Sequence, residues 1–166
     1  MQIGQGSKLI PVIVLLAFMA AACGAPAAPQ IRAEDVWSRP AVAMGDAGES
    51  AESGSGMGQG MGGTGAVFMV LANDGQEADR LVGANTDVAK VVEIHETRME
   101  GDVMKMQMLP DGLEVPARGE VQLRPGGYHV MLIGLQRDLE VGDRFAVELL
   151  FEKSESLVVE PKVRQP

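Results

Sequence analysis

Short apolar runs separated by turn-forming clusters follow one another along most of this chain, and their lengths and spacing predict strands rather than helices. Ile31 to Trp37 opens the series, and Trp37-Ser38-Arg39-Pro40 closes it, because a proline cannot continue a central strand. Ala66 to Ala72 is almost entirely apolar and stops at Asn73-Asp74-Gly75. Arg80 to Ala84, Ala89 to Met99 and Val103 to Leu109 follow, then Glu120 to Leu123, Tyr128 to Ile133, Arg144 to Phe151 and Leu157 to Glu160. The breakers between them include Pro110-Asp111-Gly112, Pro125-Gly126-Gly127 and Val141-Gly142-Asp143. Strands this short, with no helical period, predict an all-β fold: a single antiparallel β-sandwich or Greek-key barrel.

Two stretches break this pattern. Lys8 precedes an apolar run from Leu9 to Ala22 that is too short for a comfortable membrane span and has the layout of a secretory signal. The run ends in Ala20-Ala21-Ala22-Cys23, which resembles a bacterial lipoprotein processing site, although Ala20 stands where leucine is usual. Residues 1–22 are therefore expected to be a secretory signal, Cys23 a lipidation site, and residues 23–30 a tether. The expected location is extracytoplasmic, in the periplasm or on the outer face of the cytoplasmic membrane, held to the membrane through the lipid alone. As the chain has one cysteine, it forms no internal disulfide, which argues against a thiol-disulfide enzyme.

The second break, Ala41 to Gly65, is composed of Gly, Ser, Ala and acidic residues without apolar periodicity, and reads as a loop inserted into the domain. Three methionines, Met44, Met57 and Met61, lie within it and are candidate auxiliary ligands for a soft metal. The domain itself is expected to run from 31 to 161, with 162–166 as a tail.

Charge narrows the range of partners. The chain carries −9, and −10 once the leader with Lys8 is removed, so phosphate backbones are poor partners and nucleic acid is not expected.

The chemistry is concentrated between residues 91 and 131. Both histidines lie there, together with Met99, Met104, Met106, Met108 and Met131. If Glu100-Gly101 forms a two-residue turn, His95 opposes Met106, Thr97 opposes Met104 and Met99 opposes Asp102; a three-residue turn instead pairs His95 with Gln107. Residues opposed on antiparallel strands have Cβ atoms about 5 Å apart, within reach of a shared ion. His129 and Met131, two apart on a later strand, point to one face. Two such pairs give a four-ligand site of His95, Met106, His129 and Met131. Met99 and Met104 are further auxiliary candidates, and either, like Met108, also reads as core, rim or support. Met69, inside an apolar strand, reads as core.

Thioether sulfur is soft and imidazole borderline, a set that suits copper(I), while calcium and magnesium require oxygen cages and zinc favours thiolates or a third histidine. Without a cysteine among these ligands a blue-copper centre is not expected, and no motif pairs a nucleophile with either histidine. The chain therefore reads as a copper(I)-binding protein and not as an enzyme. Protonation of either histidine competes with the ion, so affinity is expected to fall as pH drops through the imidazole range. The competing reading is a lipid-anchored β-sandwich that binds a protein partner without metal.

At these residues the sequence resembles the periplasmic copper chaperones of the PCuAC family. The family pattern is a histidine, ten residues, a methionine, about twenty-one residues, then His-x-Met. Here ten residues separate His95 from Met106, and twenty-two separate Met106 from His129, one more than usual. Supporting stretches are Val92-Glu93-Ile94-His95-Glu96-Thr97, Val103-Met104-Lys105-Met106, Arg124 to Leu132, Trp37-Ser38-Arg39-Pro40, and Gly142-Asp143 with Phe151. The resemblance implies a cupredoxin-like β-sandwich with copper(I) held by His95, Met106, His129 and Met131; the chain is expected to be a monomer. It also implies delivery toward the binuclear copper centre of cytochrome c oxidase, directly to its copper subunit or through a thiol-bearing assembly factor. The insertion after Pro40 is longer than the family needs.

Overall fold

The structure is a computed structural model and describes residues 28–43 and 63–166. Cys23, Met44, Met57 and Met61 lie outside the described residues, as do the expected signal and most of the inserted loop.

Eleven strands are formed among the described residues: β1 Ile31–Ser38, β2 Thr64–Asn73, β3 Asp79–Asn85, β4 Ala89–Glu100, β5 Val103–Met108, β6 Leu113–Val115, β7 Gly119–Leu123, β8 Tyr128–Leu135, β9 Val147–Phe151, β10 Leu157–Val159 and β11 Lys162–Val163. They make two sheets, one of seven strands in the order β11-β1-β2-β7-β8-β4-β5 and one of four in the order β10-β9-β3-β6. The all-β sandwich is as expected. The seven-stranded sheet is mixed rather than purely antiparallel, because β1 pairs with β11, and β7 with β8, in parallel; the four-stranded sheet is antiparallel throughout, and neither sheet closes into a barrel.

The sheets pack through alternate residues of their strands. Val67, Met69 and Leu71 of β2, Ile94 of β4, and Val130 and Leu132 of β8 are buried in the same core as Leu81, Val115, Val147 and Leu149 of the smaller sheet. Each fully buried side chain of this size stabilises the fold by about 1.5–3 kcal/mol relative to exposure. Since β8 gives its even-numbered residues to the core, its odd-numbered ones, His129 and Met131, stand on the outer face of the large sheet.

The sequence reading misses two strands and misplaces one. β6 and β11 have three and two residues, too few to carry a periodic signal. Lys162 and Val163 belong to the domain rather than to a tail: they pair with Trp37 and Ser38, and Val163 is fully buried. β9 begins at Val147 instead of Arg144, although Arg144 makes an isolated bridge to Lys162.

The hairpin register also differs from expectation. His95 opposes Met108, Thr97 opposes Met106 and Met99 opposes Met104, so the turn is Gly101-Asp102 and not Glu100-Gly101. The reason is backbone conformation. Gly101 has φ +63° while Asp102 is not in the positive region, which matches a hairpin turn with glycine at its first central position. Placing Gly101 second would have put Glu100 at the first, where the primed turns require positive φ.

Candidate metal centre

Register and alternation together decide what the outer face carries. On β4 and β5 the residues facing outward are His95, Thr97, Met99, Met104, Met106 and Met108, because opposed residues share a face and alternate residues repeat it. The other face of the same hairpin holds Glu96, Arg98, Glu100, Val103, Lys105 and Gln107. Over these paired rungs one side of the ribbon is thus imidazole, hydroxyl and thioether, and the charged side chains are on the other.

β8 lies against β4 with His129 directly opposite His95, and the two imidazole rings have centroids 5.8 Å apart. Each ring has one nitrogen engaged. His129 Nδ1 lies 3.1 Å from the Gly127 carbonyl oxygen, an acceptor, so Nδ1 carries the proton and Nε2 keeps its lone pair. His95 Nε2 lies 2.7 Å from Glu93 Oε2, so the carboxylate accepts from Nε2, and Nδ1 is left buried without a partner among the described residues. Both imidazoles therefore offer a free ring nitrogen, each oriented by an acceptor on the opposite side of its ring, the arrangement that fixes metal-binding histidines. An unpartnered buried nitrogen is costly unless something binds it, and a soft or borderline cation fits.

The turn before β8 contributes to this. Gly126 has φ +78°, a conformation that other residues rarely adopt, and it directs the next carbonyl, that of Gly127, back toward the sheet. That oxygen accepts from the backbone N–H of Thr97 at 3.1 Å as well as from His129. One carbonyl thereby ties the His129 ring to β4.

His129 is only 5% exposed although it stands on the outer face. Phe68 lies near its ring, with centroids 6.3 Å apart, and Trp37 packs on Phe68 at 4.7 Å. Arg39 sits over Phe68, its guanidinium carbon 5.5 Å from the ring centre. Burial pushes the His129 imidazole below its ordinary range; the Gly127 carbonyl acts in the opposite direction, and the neighbouring His95 and Arg39 add to the lowering. The neutral form, which is the one that ligates, is favoured.

The predicted ligands are placed as follows. His129 and Met106 line one cavity of about 230 Å³, together with Thr97, Met104, Phe68 and Arg39 among others. His95 does not line it but is the cross-strand neighbour of His129. Met131 is on the same face, opposite Glu93 on one side and Ala66 on the other, next to the carboxylate that holds His95. Met108, not Met106, is the direct partner of His95. Met69 is in the core, as expected. Glu93 has no role in the sequence reading, yet its position two residues before His95 on a strand was the signal that it shares the face. Among the described residues no group of three or more His, Cys, Asp or Glu side chains is gathered for a metal; the donors that do share a face are two imidazoles and several thioethers.

Comparison with known proteins gives consistent relationships. The LpqE-like family model, named for a lipoprotein, matches residues 31–163. A Leifsonia xyli subsp. xyli chain that is named as a lipoprotein, Lxx21020, is 36% identical over 86 residues, which is 52% of each chain. The Rickettsia prowazekii protein RP573 is 29% identical over 98 residues, covering 59% of this chain and 54% of that one. The chain spans about half the length of these two relatives. Among solved structures, the copper-bound PCuAC domain from PmoF2 superposes with a TM-score of 0.57 at 21% identity, covering 84% of this chain and 97% of that domain. The copper(I) form of DR1885 from Deinococcus radiodurans gives 0.54 at 28% identity, covering 87% and 83%. With a family match across nearly all of the described domain, the chain belongs to the LpqE-like family, and its sandwich shares the fold of the PCuAC domains.

Proposed function

We propose that this protein is an extracytoplasmic copper(I) metallochaperone that holds one ion with His95, Met106, His129 and Met131 and passes it toward the binuclear copper centre of cytochrome c oxidase, directly or through a thiol-bearing assembly factor. The observation that carries this reading is the pair of adjacent imidazoles, each with one nitrogen engaged by an acceptor and the other free. Copper is the cargo here, not a resident cofactor. The reading is supported by the family match and by the copper-bound PCuAC domains that share the fold.

The ligand chemistry suits transfer. Thioethers and neutral imidazoles bind copper(I) without compensating its charge and more weakly than thiolates do, so a cysteine-bearing acceptor can remove the ion. Met106 is taken as the thioether from the hairpin because it lines the cavity with His129. Met108 is the competing choice because it opposes His95. The Cys23 lipid would hold the domain at the membrane surface, close to a membrane-embedded acceptor.

The test is an anaerobic copper(I) competition titration of the mature chain beside Met106→Ala/His129→Ala. One tight equivalent lost in the double variant is expected. Equal, weak binding by both proteins would refute the reading in favour of a lipid-anchored, metal-free partner-binding domain. Met106→Leu should weaken binding more than Met108→Leu does; the reverse order would move the ligand to Met108.

A further inference from the structure

The methionines of the hairpin outnumber what one four-ligand site needs, and their placement is ordered. Going from the buried end outward, the successive rungs on the outer face are His95 with Met108, Thr97 with Met106, and Met99 with Met104, the last one rung short of the Glu100–Val103 pair that closes on the turn. Rungs on one face are about 7 Å apart, two residues of strand rise. Exposure increases along them. Met108 is 48% exposed, Met106 53%, Met104 64% and Met99 63%.

Packing does not explain these side chains. β5 is an edge strand, and all six of its residues are exposed, so among the described residues no layer covers the methionine face. A water-facing ribbon needs no apolar side, and if one were wanted for packing, β-branched residues would suit a strand better than methionine. What thioethers supply that valine or isoleucine cannot is soft-metal ligation on flexible side chains. Met104 reaches the same cavity as Met106 and His129, and Met99 is its cross-strand partner. Over the paired rungs the charged side chains Glu96, Arg98, Glu100 and Lys105 are on the other face, where Glu100 and Lys105 form an ion pair. No ammonium or guanidinium of these rungs is therefore on the thioether face; the guanidinium that lines the cavity with Met104 and Met106 is that of Arg39, which sits over Phe68.

We propose that Met99, Met104 and Met106 form a second, weaker copper(I) subsite at the outer end of the hairpin, through which the ion enters and leaves the His95/His129 site. This rests on the chaperone reading above. Met106 belongs to both sets, so the ion moves one rung inward by exchanging the thioethers of Met99 and Met104 for the two imidazoles and the thioether of Met131. Its oxidation state does not change, and no proton is transferred if the imidazoles are already neutral. The outer subsite has only neutral sulfur donors and is open to solvent, so it captures and releases readily, while the inner site retains the ion.

The test is an anaerobic copper(I) titration of the mature chain carrying ¹³C-methyl methionine, compared with Met99→Leu/Met104→Leu, which keeps apolar bulk but removes sulfur. The expected result is a tight first equivalent in both proteins. A second, weaker equivalent should shift the Met99 and Met104 methyl resonances and be lost in the double variant, which should also deliver copper more slowly to a dithiol acceptor. A tight first equivalent with Met99 and Met104 resonances that never move, or a second equivalent and a delivery rate that the double variant retains, would overturn the subsite and leave the chaperone reading intact. Absence of any tight equivalent in the unmodified chain would overturn both.

Discussion

Glu93 Oε2 lies 2.7 Å from His95 Nε2, two residues along the same strand, and this contact decides which nitrogen of His95 is free. The carboxylate accepts from Nε2, so the unpartnered Nδ1 is the nitrogen left to ligate. Carboxylate partners of this kind fix the tautomer and raise the basicity of a ligating imidazole, and removing one typically costs 10–100-fold in metal affinity. Glu93→Ala should therefore weaken copper(I) binding by about tenfold or more without unfolding the domain. Competition titration together with a thermal melt checks this. Unchanged affinity with an unchanged melt would mean that Glu93 does not orient His95.

The hairpin register depends on Gly101. A Cβ at this position would meet nothing within 4 Å, so a substitution costs only the backbone strain of φ +63°. For an L-residue that strain is about 1–2 kcal/mol. Gly101→Val should destabilise by about that amount, and Gly101→Asn by less, because asparagine tolerates the left-handed region better. Denaturant unfolding measures the cost. Equal stability of Gly101→Val and the unmodified protein would show that the glycine is not held at positive φ.

Asp79 gives the fold an acid limit. It is buried at the start of β3, where its carboxylate accepts from the backbone N–H groups of Arg80 and Lys153 through Oδ1 and of Ser154 through Oδ2. Burial raises its pKa, but the Ser154 side chain and these N–H groups outweigh that and hold the carboxyl below its ordinary range. A carboxyl whose folded pKa lies below its unfolded value, about 3.9, contributes full stability above that value and loses it as pH falls through the folded pKa. Asp79→Asn should cost about 1–3 kcal/mol at neutral pH, and the gap from the unmodified protein should narrow in acid. Urea unfolding at pH 7 and near pH 3 provides the comparison. A gap that is the same at both would remove Asp79 from the acid response.

Much of this architecture was legible in the sequence because strand alternation leaves a strong local signal. The apolar run in β2 predicts a buried strand with Met69 in its core, and His-x-Met at 129–131 predicts two side chains on one face. The register of β4 on β5 was not legible in the same way. Gly101 can occupy either central position of a two-residue turn, and only the observed φ values of Gly101 and Asp102 decide between them. The pairing of His95 with His129 is long-range, across strands separated by a loop-rich segment, and no local pattern encodes it. Val163 was missed for a related reason: a two-residue strand has no periodicity, and its burial depends on the distant β1.

Along β8, residues destined for the interior and residues destined for the proposed copper face alternate one by one: His129 and Met131 outward, Val130 and Leu132 inward. Point substitutions can thus alter either side separately, changing ligands without disturbing the interior. A one-residue insertion or deletion between Tyr128 and Leu132 has no such freedom, since it would send imidazole and thioether into the core and valine and leucine into water. Variation in length is consequently confined to the segments between strands, which is where the additional residue between Met106 and His129 can be absorbed without moving either ligand off its face.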